Sequence, residues 1–130
     1  MSDRPLPEDR RYSREHEWVR EEGGALVVGI TDHAQSELTD IVYVNLPAVG
    51  ASASSGASVL VLESVKTVAD IYAPSDGSVS AVNEELRKHP ELINQDPYGR
   101  GWIFRWAPTG PPREFLAAAE YAGLIAAGAP

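Results

Sequence analysis

Only two lysines stand in this 130-residue chain, Lys66 and Lys88, beside nine arginines. Between Arg20 and Arg87 the only basic residue is Lys66. The same stretch holds ten acidic ones: Glu21, Glu22, Asp32, Glu37, Asp40, Glu63, Asp70, Asp76, Glu84 and Glu85. A primary amine in such a field has two chemistries open to it. A lysine that itself reacts needs a desolvated pocket to lower its pKa, and acidic neighbours act in the opposite direction. A lysine that becomes acylated needs only exposure and a fixed position; amide formation then takes the formal charge from −8 to −9. The field favours a modified lysine over a nucleophilic one. Charge alone leaves an ordinary surface ion-pair member as the alternative.

Other chemistries are poorly supplied. There is no cysteine, which removes disulfides, iron–sulfur ligation, thiolate nucleophiles and cysteine zinc sites. His16, His33 and His89 lack ligand-like spacing, so no metal site is expected. An acidic surface repels phosphate backbones, which argues against a nucleic-acid partner. No apolar run reaches the length of a membrane span, so no membrane partner is expected either. Trp18, Trp102 and Trp106 read as core residues rather than a stacking platform. No nucleophile–base pair or phosphate-cradling glycine loop stands out, and no catalytic residue is assigned.

The elements that must position Lys66 read as short strands: 15–20, 25–30, 41–46, a long stretch 59–72, 78–83 and 102–107, punctuated by glycine and proline turns. Val42, Val44 and Leu46 point one way; so do Val59, Val61 and Glu63; so do Trp102, Phe104 and Trp106. Fourteen residues exceed an ordinary strand, so 59–72 is expected to fold into a hairpin near Ser64 to Thr67. With Val65-Lys66 at its tip, Ser64 faces Thr67 and Glu63 faces Val68, in a type I turn that tolerates these side chains. One continuous strand fits the alternation almost as well. Thr31 or Asp32 starts a helix running to about Leu38, and 112–127 reads as a C-terminal helix. Residues 51–58, all Ala, Ser and Gly, read as a surface loop. The first eleven residues, with mixed charges, Pro5 and Pro7, read as a mobile tail; residues 12–130 form one domain, a β-sandwich or small barrel.

Glu63-Ser64-Val65-Lys66-Thr67, followed by Asp70-Ile71-Tyr72-Ala73-Pro74, closely resembles the lipoylation site of the glycine cleavage H-protein family. Tyr12-Ser13 through His16-Glu17-Trp18-Val19-Arg20, Gly29-Ile30-Thr31-Asp32-His33-Ala34-Gln35, and the stretch Leu86 to Trp102 with Pro90-Glu91-Leu92-Ile93-Asn94 and Asp96-Pro97-Tyr98-Gly99 resemble further blocks of that family, over about residues 12–126. The resemblance implies a mainly β, lipoyl-domain-like sandwich (a barrel-sandwich hybrid) with short flanking helices and a C-terminal helical segment. It implies lipoate in amide linkage to Lys66, and a non-catalytic shuttle in glycine catabolism and one-carbon metabolism. The implied partners are a pyridoxal-phosphate glycine decarboxylase that loads an aminomethyl group, a tetrahydrofolate-dependent aminomethyltransferase that takes it, and a dihydrolipoamide dehydrogenase that restores the disulfide. A lipoyl ligase or lipoyl/octanoyl transferase would attach the cofactor.

Glu63 resembles the position read by the lipoylating enzyme, and Gly56 and Gly77 look like turn glycines that set the hairpin. Glu17 and Asp70 match acidic positions lining the cleft in which the family's loaded arm shelters. Glu15 occupies a place where some members carry another polar contributor. The implied location is cytoplasmic in a bacterium, or the mitochondrial matrix once a transit peptide is removed. A lipoate relay, donating lipoyl groups to 2-oxoacid dehydrogenase subunits, is the alternative that sequence does not separate. A biotin carrier would flank the lysine with methionines, and the only methionine is Met1. An enzyme would need a buried carboxylate pair, with Glu17 and Asp70 the candidates.

Overall fold

The structure is a computed structural model that describes residues 4–128. Nine strands form two antiparallel sheets. β1 (Arg11–Tyr12), β2 (Glu17–Glu22), β3 (Ala25–Ile30), β9 (Phe104–Pro108), β8 (Gly77–Val82) and β5 (Ser52–Ala53) make the larger, in that spatial order. β4 (Ile41–Asn45), β6 (Ser58–Ser64) and β7 (Val68–Tyr72) make the smaller. Three short helices, α1 (Asp32–Leu38), α2 (Leu92–Gln95) and α3 (Ala118–Ala126), and a 3₁₀ turn at Glu84–Arg87 complete the fold. Neither sheet closes into a barrel among the described residues.

The main core lies between the sheets, where alternation puts every second residue inward. Leu60 and Leu62 of β6, Val44 of β4 and Ile71 of β7 meet Val28, Ile30, Val79, Phe104 and Trp106 of the larger sheet, with Leu86, Leu92 and Ile93 beneath them. Val59, Val61 and Glu63 share the opposite, outward side of β6, and its partly buried pattern follows. The expected grouping of Val42 with Val44 and Leu46 is corrected. The register against β6 shifts between Ile41 and Tyr43, and this bulge turns both Val42 (52% exposed) and Tyr43 outward.

A second cluster lies on the outer side of the larger sheet, where Tyr12, Trp18 and Val27 receive α3 through Tyr121, whose ring stacks on Tyr12 at 5.0 Å. The C-terminal helix is shorter than its alanine-rich sequence suggests, 118–126 rather than 112–127. Pro111 and Pro112 supply no amide donors, and Leu116 spends its backbone on Tyr12 in a bridge (2.9 and 2.6 Å). Only after it does Glu120 accept the Ala117 N–H (2.8 Å) and start the helix.

Thr31 caps α1, its hydroxyl accepting from the Ala34 N–H (3.2 Å). The expected loop 51–58 contains the two-residue β5, paired with β8 through Ser52–Ser78 and Ala53–Gly77. Of the expected tail, residues 1–3 lie outside the described residues. Arg4 pairs with Asp32, and the Arg10 guanidinium sits 4.5 Å above the Trp18 ring.

Candidate functional site

The stretch 58–72 is a hairpin, and Lys66 is at its tip. Glu63 opposes Val68, and the Ser64 N–H donates to the Thr67 carbonyl at 2.8 Å, closing a two-residue turn over Val65 and Lys66. The side chain of Ser64 braces this turn from inside. Its hydroxyl accepts from the N–H of Lys66 (3.1 Å) and of Thr67 (3.0 Å), and lies 3.0 Å from the Thr67 carbonyl as donor. Turn amides that would otherwise face solvent are thus satisfied locally. The tip also rests on the corner after α1, where the Val65 N–H donates to the Asp40 carbonyl (3.0 Å) and Lys66 Nζ reaches the Glu37 carbonyl at 3.3 Å.

That corner is itself held. Asn94 of α2 accepts from the Ile41 N–H (2.9 Å) and donates to the Thr39 carbonyl (2.8 Å). The roles of Ser64 and Asn94 are absent from the reading of the sequence. Serine at the first position of a turn is a recognised preference that signals the former; the latter joins segments far apart in the chain and leaves no local signal.

Glu63 is exposed, with Val68 opposite it on β7 and Tyr43 on β4, both exposed as well. Gly56 lies at the other end of the hairpin. Its φ is +81°, and its N–H donates to Ala73 (2.9 Å) while Ala73 donates back to Ala57 (2.8 Å). Gly77 is not a turn glycine: it is the first residue of β8, paired with Ala53 and Pro108. Its missing side chain permits a close approach instead, since a Cβ there would stand 2.4 Å from the Ala107 carbonyl and 2.6 Å from Trp106 Nε1. Neither glycine is in the Lys66 turn.

The three acidic candidates have three different environments. Glu17, on β2, is 1% exposed. One carboxyl oxygen accepts the Tyr72 N–H at 2.8 Å, while Oε1 is buried with no hydrogen-bond partner. Burial pushes its pKa up to about 8, against the opposing pull of the Tyr72 N–H and the Arg113 charge; Glu15 adds to the rise. Asp70 is exposed and accepts from the Ser58 hydroxyl (2.7 Å). Glu15 is exposed and paired with Arg113 at 2.9 Å.

Tyr72 and Asp70 share a strand and a face, so the Tyr72 amide brings Glu17 to the strand that bears Asp70. With Asp70 open to solvent, the two do not make a buried carboxylate pair. Arg113 is a member of this group that reading the sequence missed. A groove of about 650 Å³ runs between residues 8–11 and 112–118 with Arg113 on its wall, but neither Glu17 nor Lys66 lines it.

The histidines take structural contacts. His16 Nδ1 is 2.7 Å from the Tyr121 hydroxyl, and its ring lies 4.7 Å from that of His33. Among the described residues no group of His, Cys, Asp or Glu is arranged to hold a metal ion. Among them, too, no helix is long and apolar enough to cross a membrane. An exposed amine on a braced tip is what covalent attachment of an acyl arm requires. The residues present therefore fit a lipoyl group.

The chain is closely similar to proteins of one family. A family model described as Glycine cleavage H-protein matches residues 10–125. A glycine cleavage system H protein of Thermus thermophilus is 52% identical over 122 residues, 92% of this chain and 95% of that protein. That of Herpetosiphon aurantiacus is 49% identical over 120 residues, 92% of this chain and 93% of that one. Among solved structures, a glycine cleavage system H protein from Mycobacterium marinum superposes with a TM-score of 0.87 at 42% identity, covering 93% of this chain and 99% of that one. With the family model matching most of the chain, and relatives this similar over nearly their whole length, the chain belongs to the glycine cleavage H-protein family of lipoyl carriers.

Proposed function

We propose that Lys66 carries lipoate in amide linkage and that the chain is a non-catalytic shuttle of glycine cleavage. The observation that carries this reading is the tip itself: the one lysine of an acidic stretch, presented by a turn whose amides Ser64 satisfies. When attached, the lipoyl group would supply a disulfide that takes up an aminomethyl group together with an electron pair, then gives up the carbon in one step and the electron pair, as a dithiol is reoxidised, in another.

The chain's own residues do the rest. The hairpin holds the acylated nitrogen at an exposed tip, beside the Glu37 carbonyl. Glu63, exposed on the strand that leads into the turn, is the residue a lipoyl ligase or lipoyl/octanoyl transferase reads. Gly56 and Gly77 act indirectly, by closing the base of the hairpin and by packing β8 against Trp106. Glu17 and Asp70 receive the cationic amine of a loaded arm, for which a buried carboxyl oxygen without a donor is suited. Glu15 lies close enough to Glu17 for its charge to be felt there. The absence of cysteine leaves no thiol in this chain to exchange with the lipoyl disulfide.

The partners proposed on this reading are a pyridoxal-phosphate glycine decarboxylase, the aminomethyltransferase and dihydrolipoamide dehydrogenase, and the proposed location is the cytoplasm. Intact mass after expression with lipoate and a lipoyl ligase should show one lipoyl adduct, absent in Lys66→Arg; uptake by that variant overturns the site. Exchange of labelled bicarbonate with glycine, catalysed by the decarboxylase and the lipoylated protein, separates glycine cleavage from a lipoate relay. No exchange excludes the cleavage role.

A further inference from the structure

Arg113 lies in the extended segment between β9 and α3, with its backbone N–H on the Pro74 carbonyl (2.8 Å), just past the end of β7. Its Nη2 donates to Glu15 at 2.9 Å and its guanidinium stands 5.6 Å from the centre of the Phe115 ring, while its buried Nε–H meets no acceptor. The buried Glu17 Oε1 meets no donor. A donor and an acceptor that attract one another are thus both left unsatisfied, although the arginine charge is close enough to favour an ionised Glu17. Leaving such atoms unpaired is costly, and what accompanies it here is the bond between Arg113 and Glu15.

The local charges explain what that bond achieves. Glu15, Glu17 and Arg113 make two carboxyl groups and one guanidinium. Asp70 is occupied separately by Ser58, and the His16 ring is turned toward Tyr121. With Glu17 ionised these three groups carry one uncompensated negative charge, and Asp70, whose hydroxyl partner is neutral, adds another. A freely placed Arg113 would cancel the charge of Glu17 and leave that of Glu15; tied to Glu15, it cancels the outer carboxylate and leaves the inner one open.

We propose that Glu15 holds Arg113 as an internal counterion, so that Glu17 stays available to an ammonium group brought in on the Lys66 arm. The inference rests on the lipoyl-carrier reading above. Both residues are positioning residues: one keeps the guanidinium off Glu17, the other shields Glu17 from the charge of Glu15. Losing either impairs the site for a different reason. Without Arg113, the Glu15 charge opposes ionisation of Glu17. Without Glu15, Arg113 takes the place meant for the ammonium. Losing both removes the two faults together.

The test is a double-mutant cycle with two readouts. In the lipoylated, reduced protein, the arm is loaded with formaldehyde and ammonia, one thiol condensing with both to S–CH₂–NH₂ with loss of one water. Retention of the load at neutral pH is then followed by intact mass. Arg113→Gln and Glu15→Gln should each shorten the half-life several-fold, Arg113→Lys should stay near the unsubstituted protein, and the double variant should recover to within about twofold of it. Single variants that retain the load normally, or a double variant worse than either single, overturn the proposal.

Carboxyl NMR titration of Glu17 in the unlipoylated chain gives the second readout. The midpoint should rise in Arg113→Gln, by about one pH unit, and fall in Glu15→Gln; unmoved or reversed midpoints overturn the proposal as well. If no lipoyl adduct forms on Lys66, the carrier reading fails, and the titration still decides whether the counterion arrangement exists.

Discussion

The carboxyl group of Glu17 and the backbone N–H of Tyr72, 2.8 Å apart, join the two sheets of the sandwich. Glu17 belongs to the larger sheet and Tyr72 to the strand that descends from the Lys66 turn, so one side chain links the larger sheet to the Lys66 hairpin.

This link makes stability depend on pH in a definite sense. The Glu17 pKa is raised from 4.5 to about 8 in the folded chain. Between those limits the folded state keeps a proton that the unfolded state gives up, so stability is greatest below about 4.5 and falls as pH rises to about 8. At about 1.4 kcal/mol per unit the loss accumulates to roughly 3–5 kcal/mol. Glu17→Gln, which keeps an oxygen for Tyr72 and cannot ionise, should flatten this slope. Urea midpoints at pH 5 and pH 8.5 measure it; the three histidines are common to both proteins and cancel. Equal slopes in the two proteins would contradict the assignment of Glu17 as a buried acid that keeps its proton at neutral pH so long as no cationic amine stands beside it to favour ionisation.

Ser64→Ala removes the hydroxyl that satisfies the Lys66 and Thr67 amides. The global cost should be about 1 kcal/mol, because the turn is exposed and water can replace the bonds. The local effect should be larger: faster amide exchange at residues 65–67 and several-fold slower lipoylation of Lys66, with Ser64→Thr restoring both. Normal exchange and normal lipoylation in the alanine variant would show that the brace is not needed.

Gly77→Ala should destabilise the fold by about 2–4 kcal/mol. The new methyl meets the backbone carbonyl of Ala107 at 2.4 Å and the Trp106 indole at 2.6 Å, and the indole N–H is bonded to Ser75 (3.0 Å). A flexible side chain moves aside easily; a carbonyl fixed in the sheet does not. Denaturant midpoints check the magnitude, and an alanine variant as stable as the parent would mean that β8 and β9 separate more readily than their packing suggests.

Much of the site was legible because it is local. The tip at Val65-Lys66, the register of Glu63 on Val68 and a cap at Thr31 are each among the readings that neighbouring residues offer, beside a continuous strand and a cap at Asp32, and the structure has the former in each case. What escaped depends on distant partners. The outward turn of Val42 arises from a bulge that alternation does not encode. The shortened α3 follows from Leu116 pairing with Tyr12, and alanine propensity alone points the other way. Asn94 and Arg113 are unremarkable in sequence, and each acquires its role from a residue at least 50 positions away.

The bridge between Tyr12 and Leu116 also orders events in time. The hairpin closes on itself within residues 56–73, using contacts among near neighbours. The surroundings of Glu17 depend on Arg113, 98 positions from Glu15 and brought beside it by the segment that carries the Leu116 bridge. Contacts between near neighbours form sooner than those spanning the chain. The Lys66 turn can therefore close before the surroundings of Glu17 are assembled.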